Sequence, residues 1–378
     1  MIQLLFWFSA AAILYNYAGY PLVVFLIARF RPRPVIKSAI YPRVTVVLAC
    51  YNEAGRVVSR IANLLASDYP REKLEVIVVS DGSTDQTVAK AQKMASSSVK
   101  VLSYYPRLGK AEALNRGIAS SGGEIVVFAD ARQRFDREAI RQLVSNFADP
   151  TVGAVSGSLL LGESGAMEGL GLYWRYEKLI RKSEGRAGSV VGATGAIYAI
   201  RRRLWEPLPA GTILDDVYTP LRIALAGFRV VFEENACAYD SIDPLRKREF
   251  SRKVRTLTGN YQLCQLMPRL LWPDNALVLQ FYSHKLLRLA APAFLIALLF
   301  SNWALALTSG AWQFFFQVCL TIQVPLYASM ALGALLAKQN RSIKPLGLAY
   351  TFLLLNLAAI FGLIYFLTGK RDLWQREY

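Results

Sequence analysis

Acidic residues are scarce in this chain. Its 378 residues hold 27 Asp and Glu against 44 Lys and Arg, a formal net charge of +17. Charged residues of both signs make up only 19%, too few for an ordinary soluble protein of this size, while 54% are hydrophobic. That apolar content excludes disorder over the whole chain. Cysteine is also rare. Cys50, Cys237, Cys264 and Cys319 stand far apart with no CxxC pair, and His284 is the only histidine. A disulfide scaffold and a cysteine–histidine metal cluster are both excluded. The basic residues form no recognition module for nucleic acid. The length corresponds to about two domains, and the missing charge makes one of them a membrane domain.

No charged residue occurs from Met1 to Ala28. Roughly 20 apolar residues cross a bilayer, so Leu4–Ala28 is long enough to span. Without a basic leading region it reads as a retained helix, not a cleaved signal. Arg29, Arg31, Arg33 and Lys37 follow at once. The positive-inside rule then puts the N-terminus outside and the following domain in the cytoplasm. A second uncharged block, Leu289–Ala337, is long enough for two spans with a turn near Thr308–Gly310. Lys338, Arg341 and Lys344 make a basic loop before a last uncharged stretch, Pro345–Gly369. Counting spans sends the C-terminus outside, whereas Lys370, Arg371 and Arg376 argue for inside; the sequence leaves both open. Leu266–Arg288, broken by Pro268 and Pro273, reads as interfacial helices leading into the membrane. The organisation is therefore a first span over 1–30, a mixed domain over 41–263, an interfacial segment over 264–288 and three spans over 289–369. Spans free of ionisable residues speak against a transporter without chemistry.

The mixed domain alternates strands and helices. Val44–Cys50, Leu74–Ser80, Lys100–Tyr104 and Glu124–Ala129 read as strands, the apolar β-branched ones as buried parallel strands. Ala54–Leu65, Thr84–Met94, Ala111–Ser120 and Arg137–Phe147 read as helices. The alternation predicts an α/β fold with a mostly parallel, Rossmann-like sheet, whose ligand sits at the carboxyl ends of the strands. Polar residues gather at those ends: Tyr51-Asn52-Glu53, Asp81 to Asp85, Arg107 to Lys110, and Asp130-Ala131-Arg132. Asp81 alone could merely cap the helix that follows. Four such tips converging make a polar crevice instead.

These segments resemble the membrane-bound family 2 glycosyltransferases with a GT-A fold. The motifs VTVVLACYNEAGRV, LEVIVVSDGSTDQT, RLGKAEALNRGI, EIVVFADARQRF, GATGAIYAIRRRLW, TILDDVYTPLRIALAGFRVVF and EFSRKVRTLTGNYQL run in that family's order. Its members include cellulose, chitin, hyaluronan and poly-N-acetylglucosamine synthases. The resemblance implies that Tyr51, Glu53 and Asp81 hold the nucleoside, that Lys110 offsets phosphate charge, and that Asp130 contacts the donor and its metal, Mg²⁺ or Mn²⁺. The second acid of the family's DxD motif is Arg132 here, which either leaves Asp130 as the ligand or itself faces phosphate. Asp136 lies too far along to be taken as its substitute.

Leu214-Asp215-Asp216 matches the family's Thr-Glu-Asp motif. The resemblance makes Asp216 the base that deprotonates the acceptor, with Asp215 beside it raising its pKa by like charge. A carboxylate capping an expected helix Val217–Leu225 is compatible with that role. Gly192, Thr194 and Gly195 would border the acceptor sugar. Arg255 stands for the arginine of Gln-x-x-Arg-Trp, with Arg252 and Thr256 replacing its Gln and Trp. Three residues apart on a helix, the two arginines can face one polyanion or form a solvated basic face beside lipid headgroups. His284, without a partner pattern, reads as structural, and Trp174 and Tyr176 as core or interface aromatics.

The expectation is an integral membrane enzyme of the bacterial inner membrane. It would transfer a hexose, inverting, from a nucleotide sugar (UDP-linked by resemblance) to a growing polysaccharide. The alternatives are a single transfer to a polyprenyl-phosphate or lipid-linked acceptor, and a catalytically degenerate subunit of a synthase complex. The implied partners are the nucleotide sugar, a glycan or lipid-linked acceptor, the bilayer, and synthase or export subunits.

Overall fold

The computed structural model describes residues 1–161, 168–240, 246–339 and 343–369. Arg341 and the basic tail residues Lys370, Arg371 and Arg376 lie outside the described residues. One eight-stranded sheet organises the mixed domain. Its strands are β1 (Val44–Cys50), β2 (Leu74–Asp81), β3 (Val99–Tyr104), β4 (Ile125–Asp130), β5 (Arg134–Phe135), β6 (Val152–Leu161), β7 (Ile197–Arg201) and β8 (Arg229–Asp240). The order is β3-β2-β1-β4-β7-β6-β8-β5. The first four strands are parallel, with Val44 level with both Leu74 and Ile125. β7 runs antiparallel between β4 and β6, and β8 runs parallel to β6. The sheet is mixed and mostly parallel, as the alternation of strands and helices predicts.

Both faces of the sheet are covered, which explains why the strands read as unbroken apolar runs. Val46, Leu48, Val76, Val78 and Val127 point into one core, and Val47, Ile77, Val79, Val126 and Phe128 into the other. The helix starts shift by one to three residues from the sequence expectation, and two of these shifts bear on the site. The helix expected from Thr84 begins at Thr87, because the Asp85 carboxylate accepts from the Thr87 amide (2.9 Å) and the Ala54 amide (3.1 Å) and holds the preceding turn. The helix expected from Val217 begins at Asp215. Asp215 and Asp216 therefore stand in its first turn, and the residue at the cap is Leu214. Carboxylates there are favoured by the positive end of the helix dipole.

Among the described residues, four helices are long and apolar enough to cross a membrane: Ile2–Phe30, Val278–Leu307, Gln313–Lys338 and Lys344–Thr368. The second of these differs from the expected division at Arg288. Pro268 and Pro273 both precede Val278, so nothing breaks the helix, which continues through a π segment at Phe281–Leu286 into Leu287–Leu307. His284, Lys285 and Arg288 thus belong to a continuous apolar helix. The N-terminal helix packs along it: Phe8 meets Phe294 edge-on with centroids 5.7 Å apart, and the Tyr15 and Ser283 hydroxyls lie 2.9 Å apart. The mixed domain is tied down by two long helices. Tyr176, on Glu168–Ala187, donates to the Tyr17 carbonyl at 2.9 Å. Thr258, on Arg246–Leu266, donates to the Gly362 carbonyl at 3.3 Å.

Candidate active site

A cavity of about 450 Å³ opens at the carboxyl ends of β1, β2 and β4 and runs down to the helix beginning at Val278. Its outer end is built by the turns after β1 and β2. Asn52 takes a left-handed conformation (φ 53°), which asparagine tolerates better than most residues. Its side-chain oxygen accepts from the Thr84 amide at 2.9 Å, locking one turn to the other. Tyr51 lines the cavity with the Arg107 guanidinium stacked 3.8 Å from its ring centroid. Glu53 is held by Arg56 at 3.1 Å. Asp81 is buried and does not cap the next helix. Its carboxylate accepts from the Tyr104 hydroxyl (2.9 Å) and the Leu108 and Gly109 amides (2.7 and 2.9 Å), fixing the loop that delivers Lys110.

Lys110 stands at the centre. Its ammonium donates to Asp130 Oδ1 at 3.1 Å and lies 3.4 Å from Asp215 Oδ2. Burial alone would lower its pKa, but Asp130, Asp215 and Asp216 outweigh that and hold it above the ordinary lysine value. Asp216 is the group most relevant to proton transfer. Burial, and then the like charge of Asp215, push its carboxyl up to about 6 against the opposing pull of Lys110. The like-charge effect expected from the sequence is present, and burial exceeds it.

The glycine-spaced loop has a steric reason. At Gly195, a Cβ would stand 2.7 Å from Asp216 Oδ2; at Gly192, φ is +140° and a Cβ would meet Val217. Thr194 turns its hydroxyl inward: it donates to the Gly157 carbonyl (2.9 Å) and accepts from Arg181 Nη1 (2.8 Å). The residue expected beside the acceptor therefore positions Arg181, which itself lines the cavity.

Arg252, Arg255 and Thr256 line the same cavity, as one helix face allows. Arg132 also reaches it, but its guanidinium donates to the buried Asp240 carboxylate at 2.5 Å, and Gln133 donates to the same oxygen at 2.9 Å. Asp240 thus compensates the cation that replaces the second acid of the motif.

Among the described residues no three His, Cys, Asp or Glu side chains are grouped to cage a metal. Asp130 still fits a phosphate-bridging divalent ion, which takes one or two carboxylates and fills its shell with phosphate and water. Lys110 is bonded to only one of its oxygens, the side chain is 37% exposed toward the cavity, and the neighbouring Asp215 and Asp216 leave excess negative charge.

The inner end contains residues that sequence reading missed. His284 Nδ1 lies 2.7 Å from Glu184 and its Nε2 3.0 Å from Glu177. Tyr20 also donates to Glu184, and Arg288 to Glu177. Burial would raise the Glu177 pKa, but Arg288 and His284 hold it well below the carboxylate range. These partners lie 100 and 107 positions from His284, so no local spacing announces them. Arg181 and Lys285 complete this end.

Residues 45–207 match the family model described as Glycosyl transferase family 2. A poly-β-1,6-N-acetyl-D-glucosamine synthase of Staphylococcus aureus is 27% identical over 231 residues, 58% of this chain and 55% of that protein. The Staphylococcus epidermidis enzyme of the same name is 24% identical over 238 residues, 61% and 57% of the two chains. The chain thus spans about half the length of the curated relatives it matches. A solved mannosyltransferase from Pyrobaculum calidifontis, in complex with GDP-Man and Mn²⁺, superposes with a TM-score of 0.74 at 25% identity, covering 98% of this chain and 100% of that one.

Proposed function

We propose that the protein, whose residues 45–207 match the Glycosyl transferase family 2 model and whose fold superposes on that of a solved mannosyltransferase, transfers a hexose, with inversion, from a nucleotide sugar to a glycan acceptor at the cytoplasmic face of a membrane. The observation that carries this reading is Asp216. Its carboxyl, at about 6, stands between the donor-side group of Lys110, Asp130 and Asp215 and the membrane-side end of one cavity. A base poised near neutrality suits removal of a hydroxyl proton as the bond forms.

The nucleoside enters over Tyr51, Glu53 and Arg107, and its diphosphate meets Lys110, Arg252 and Arg255. An acceptor hydroxyl attacks the anomeric carbon from the side opposite the diphosphate. The new carbon–oxygen bond forms, the carbon–phosphate-oxygen bond breaks, and the nucleoside diphosphate leaves with the electron pair. Asp216 takes the hydroxyl proton. Fixed cations facing the leaving diphosphate favour the transition state, because charge grows there as the bond breaks. A divalent ion held by Asp130 would add further positive charge at that diphosphate. Asp215, buried against Lys110, keeps the ammonium aimed and Asp216 basic.

The donor is read as UDP-linked, in line with the N-acetylglucosaminyl synthases among the relatives. A GDP-linked hexose is the second reading, favoured by the archaeal mannosyltransferase that matches along nearly the whole chain. Arg29, Arg31, Arg33 and Lys37 after the first apolar helix support a cytoplasmic catalytic domain and an external N-terminus. The test is nucleotide release by the full chain in lipid nanodiscs, with a panel of UDP- and GDP-hexoses, with Mn²⁺, with Mg²⁺ and with chelator. Turnover of one donor, lost in Asp216→Asn, is expected. Turnover of the same size in Asp216→Asn would overturn the assignment of the base.

A further inference from the structure

Tyr198 is a fully buried phenol next to the carboxylates of the candidate active site. It stands on β7, level with Phe128 of β4 and Ser156 of β6, and is 0% exposed. Its ring stacks on that of Phe128, with centroids 4.1 Å apart and planes 3° from parallel. The stack fixes the ring, and with it the direction of the hydroxyl. That hydroxyl is turned toward Asp215, yet among the described residues it makes no hydrogen bond of normal geometry. Burial, and then the charges of Asp215, Asp216 and Asp130, hold the phenol well above its ordinary pKa, so it keeps its proton as a donor. A buried hydroxyl without a partner carries a cost that a phenylalanine in the same space would not.

The facing carboxylate is in the same position. Among the described residues Asp215 Oδ2 is buried and accepts no hydrogen bond, and the cation facing it is the Lys110 ammonium at 3.4 Å. Lys110 is shared, because its closer contact is Asp130 at 3.1 Å. An incoming diphosphate competes for that same ammonium. Once Lys110 turns to phosphate oxygens, Asp215, only 5% exposed, loses its counter-ion. A buried charge stripped of its partner is strongly destabilising. The unused Tyr198 hydroxyl is a donor already placed on this carboxylate.

Resting on the glycosyltransferase reading above, we propose that Tyr198 is a positioning residue that takes over Asp215 when the donor's diphosphate draws Lys110 away. In the free protein the ammonium offsets Asp215; in the nucleotide-bound protein the Tyr198 hydroxyl donates to Oδ2. No proton is transferred in this exchange. It holds Asp215 beside Asp216 throughout, so the base keeps its place as the charge of the diphosphate enters the cavity.

The experiment uses the full chain in nanodiscs of neutral lipid and Tyr198→Phe, which keeps the stack on Phe128 and removes the hydroxyl alone. UDP and GDP are titrated, and thermal unfolding is followed without nucleotide. Tyr198→Phe is expected to melt no lower than the parent and to bind the preferred nucleotide about tenfold more weakly. In an Asp215→Asn background the same substitution should change nucleotide affinity by less than about twofold, because the partner is gone. In a Lys110→Met background, where the hydroxyl is already in use, it should lower the melting temperature by at least about 2 °C. Equal nucleotide affinity in the parent and Tyr198→Phe would overturn the proposal, as would a tenfold loss that persists in Asp215→Asn. A lower melting temperature from Tyr198→Phe alone, or an unchanged one in the Lys110→Met background, would overturn it too. Nucleotide binding that ignores Tyr198→Phe removes this inference alone, whereas a parent that binds neither UDP nor GDP removes the glycosyltransferase reading and this inference with it.

Discussion

Arg132 Nη2 lies 2.5 Å from Asp240 Oδ2, joining the tip of β4 to the end of β8. The cation occupies the position where related enzymes carry a second acid, and a buried acid from a distant strand answers it. The exchange keeps the charge of this corner balanced. Removing one partner strands the other. Arg132→Ala is expected to destabilise the fold by about 3 kcal/mol, because Asp240 is left buried with, among the described residues, only the Gln133 side chain donating to it. Arg132→Ala combined with Asp240→Ala should recover most of that loss. Thermal unfolding of both variants checks the difference.

Asp216→Asn keeps the size and polarity of the side chain but removes the carboxylate proposed as the base. Transfer is expected to fall by about 10²–10⁴-fold, with nucleotide binding retained. In the parent enzyme the active form is the carboxylate, so its pKa of about 6 sets an acid limb: the rate is full above about pH 7 and falls about tenfold per unit below pH 6. A pH profile of kcat/KM measures this, and a flat profile from pH 5 to 8 would count against Asp216 as the base.

Lys110 pulls the Asp216 pKa down while burial and Asp215 push it up. Lys110→Met is therefore expected to move the acid limb of kcat/KM to higher pH, as well as to weaken nucleotide binding. A limb that stays in place would show that the two charges do not communicate.

Gly195→Ala introduces a Cβ that would stand 2.7 Å from Asp216 Oδ2. The carboxylate must move, and a displaced base costs about 10²-fold in kcat with nucleotide affinity unchanged. Steady-state kinetics together with nucleotide titration separates this from general misfolding.

His284→Ala deprives two buried glutamates of a shared partner. A loss of about 3–5 kcal/mol is expected. Because Glu184 is also bonded to Tyr20 of the first membrane helix, the variant should loosen the joint between membrane and catalytic domain. Hydrogen exchange along Glu168–Ala187 reads that loosening.

The division between sequence and tertiary structure is visible residue by residue. The parallel half of the sheet was legible because Val44–Cys50 and Leu74–Asp81 are buried on both faces and so carry no polar alternation. The spans were legible because a bilayer demands long uncharged runs whatever the fold around them. Asp81, Lys110 and Asp130 could be singled out because they gather at the carboxyl ends of neighbouring strands, and Asp216 because the motif around it resembles one of the family's. Chain spacing alone does not reveal contacts between distant segments. Asp240 meets Arg132 across 108 positions, and Glu177 and Glu184 meet His284 across 107 and 100. Local periodicity reports which face of an element is buried, and it carries no information about which other element covers that face. The sequence by itself therefore determined the sheet's parallel core, the apolar spans and the candidate carboxylates at the strand ends. Only the packing of Glu168–Ala187 against the helix from Val278 decided that a histidine read as solitary sits between two acids, and that Arg181 and Lys285 share one wall.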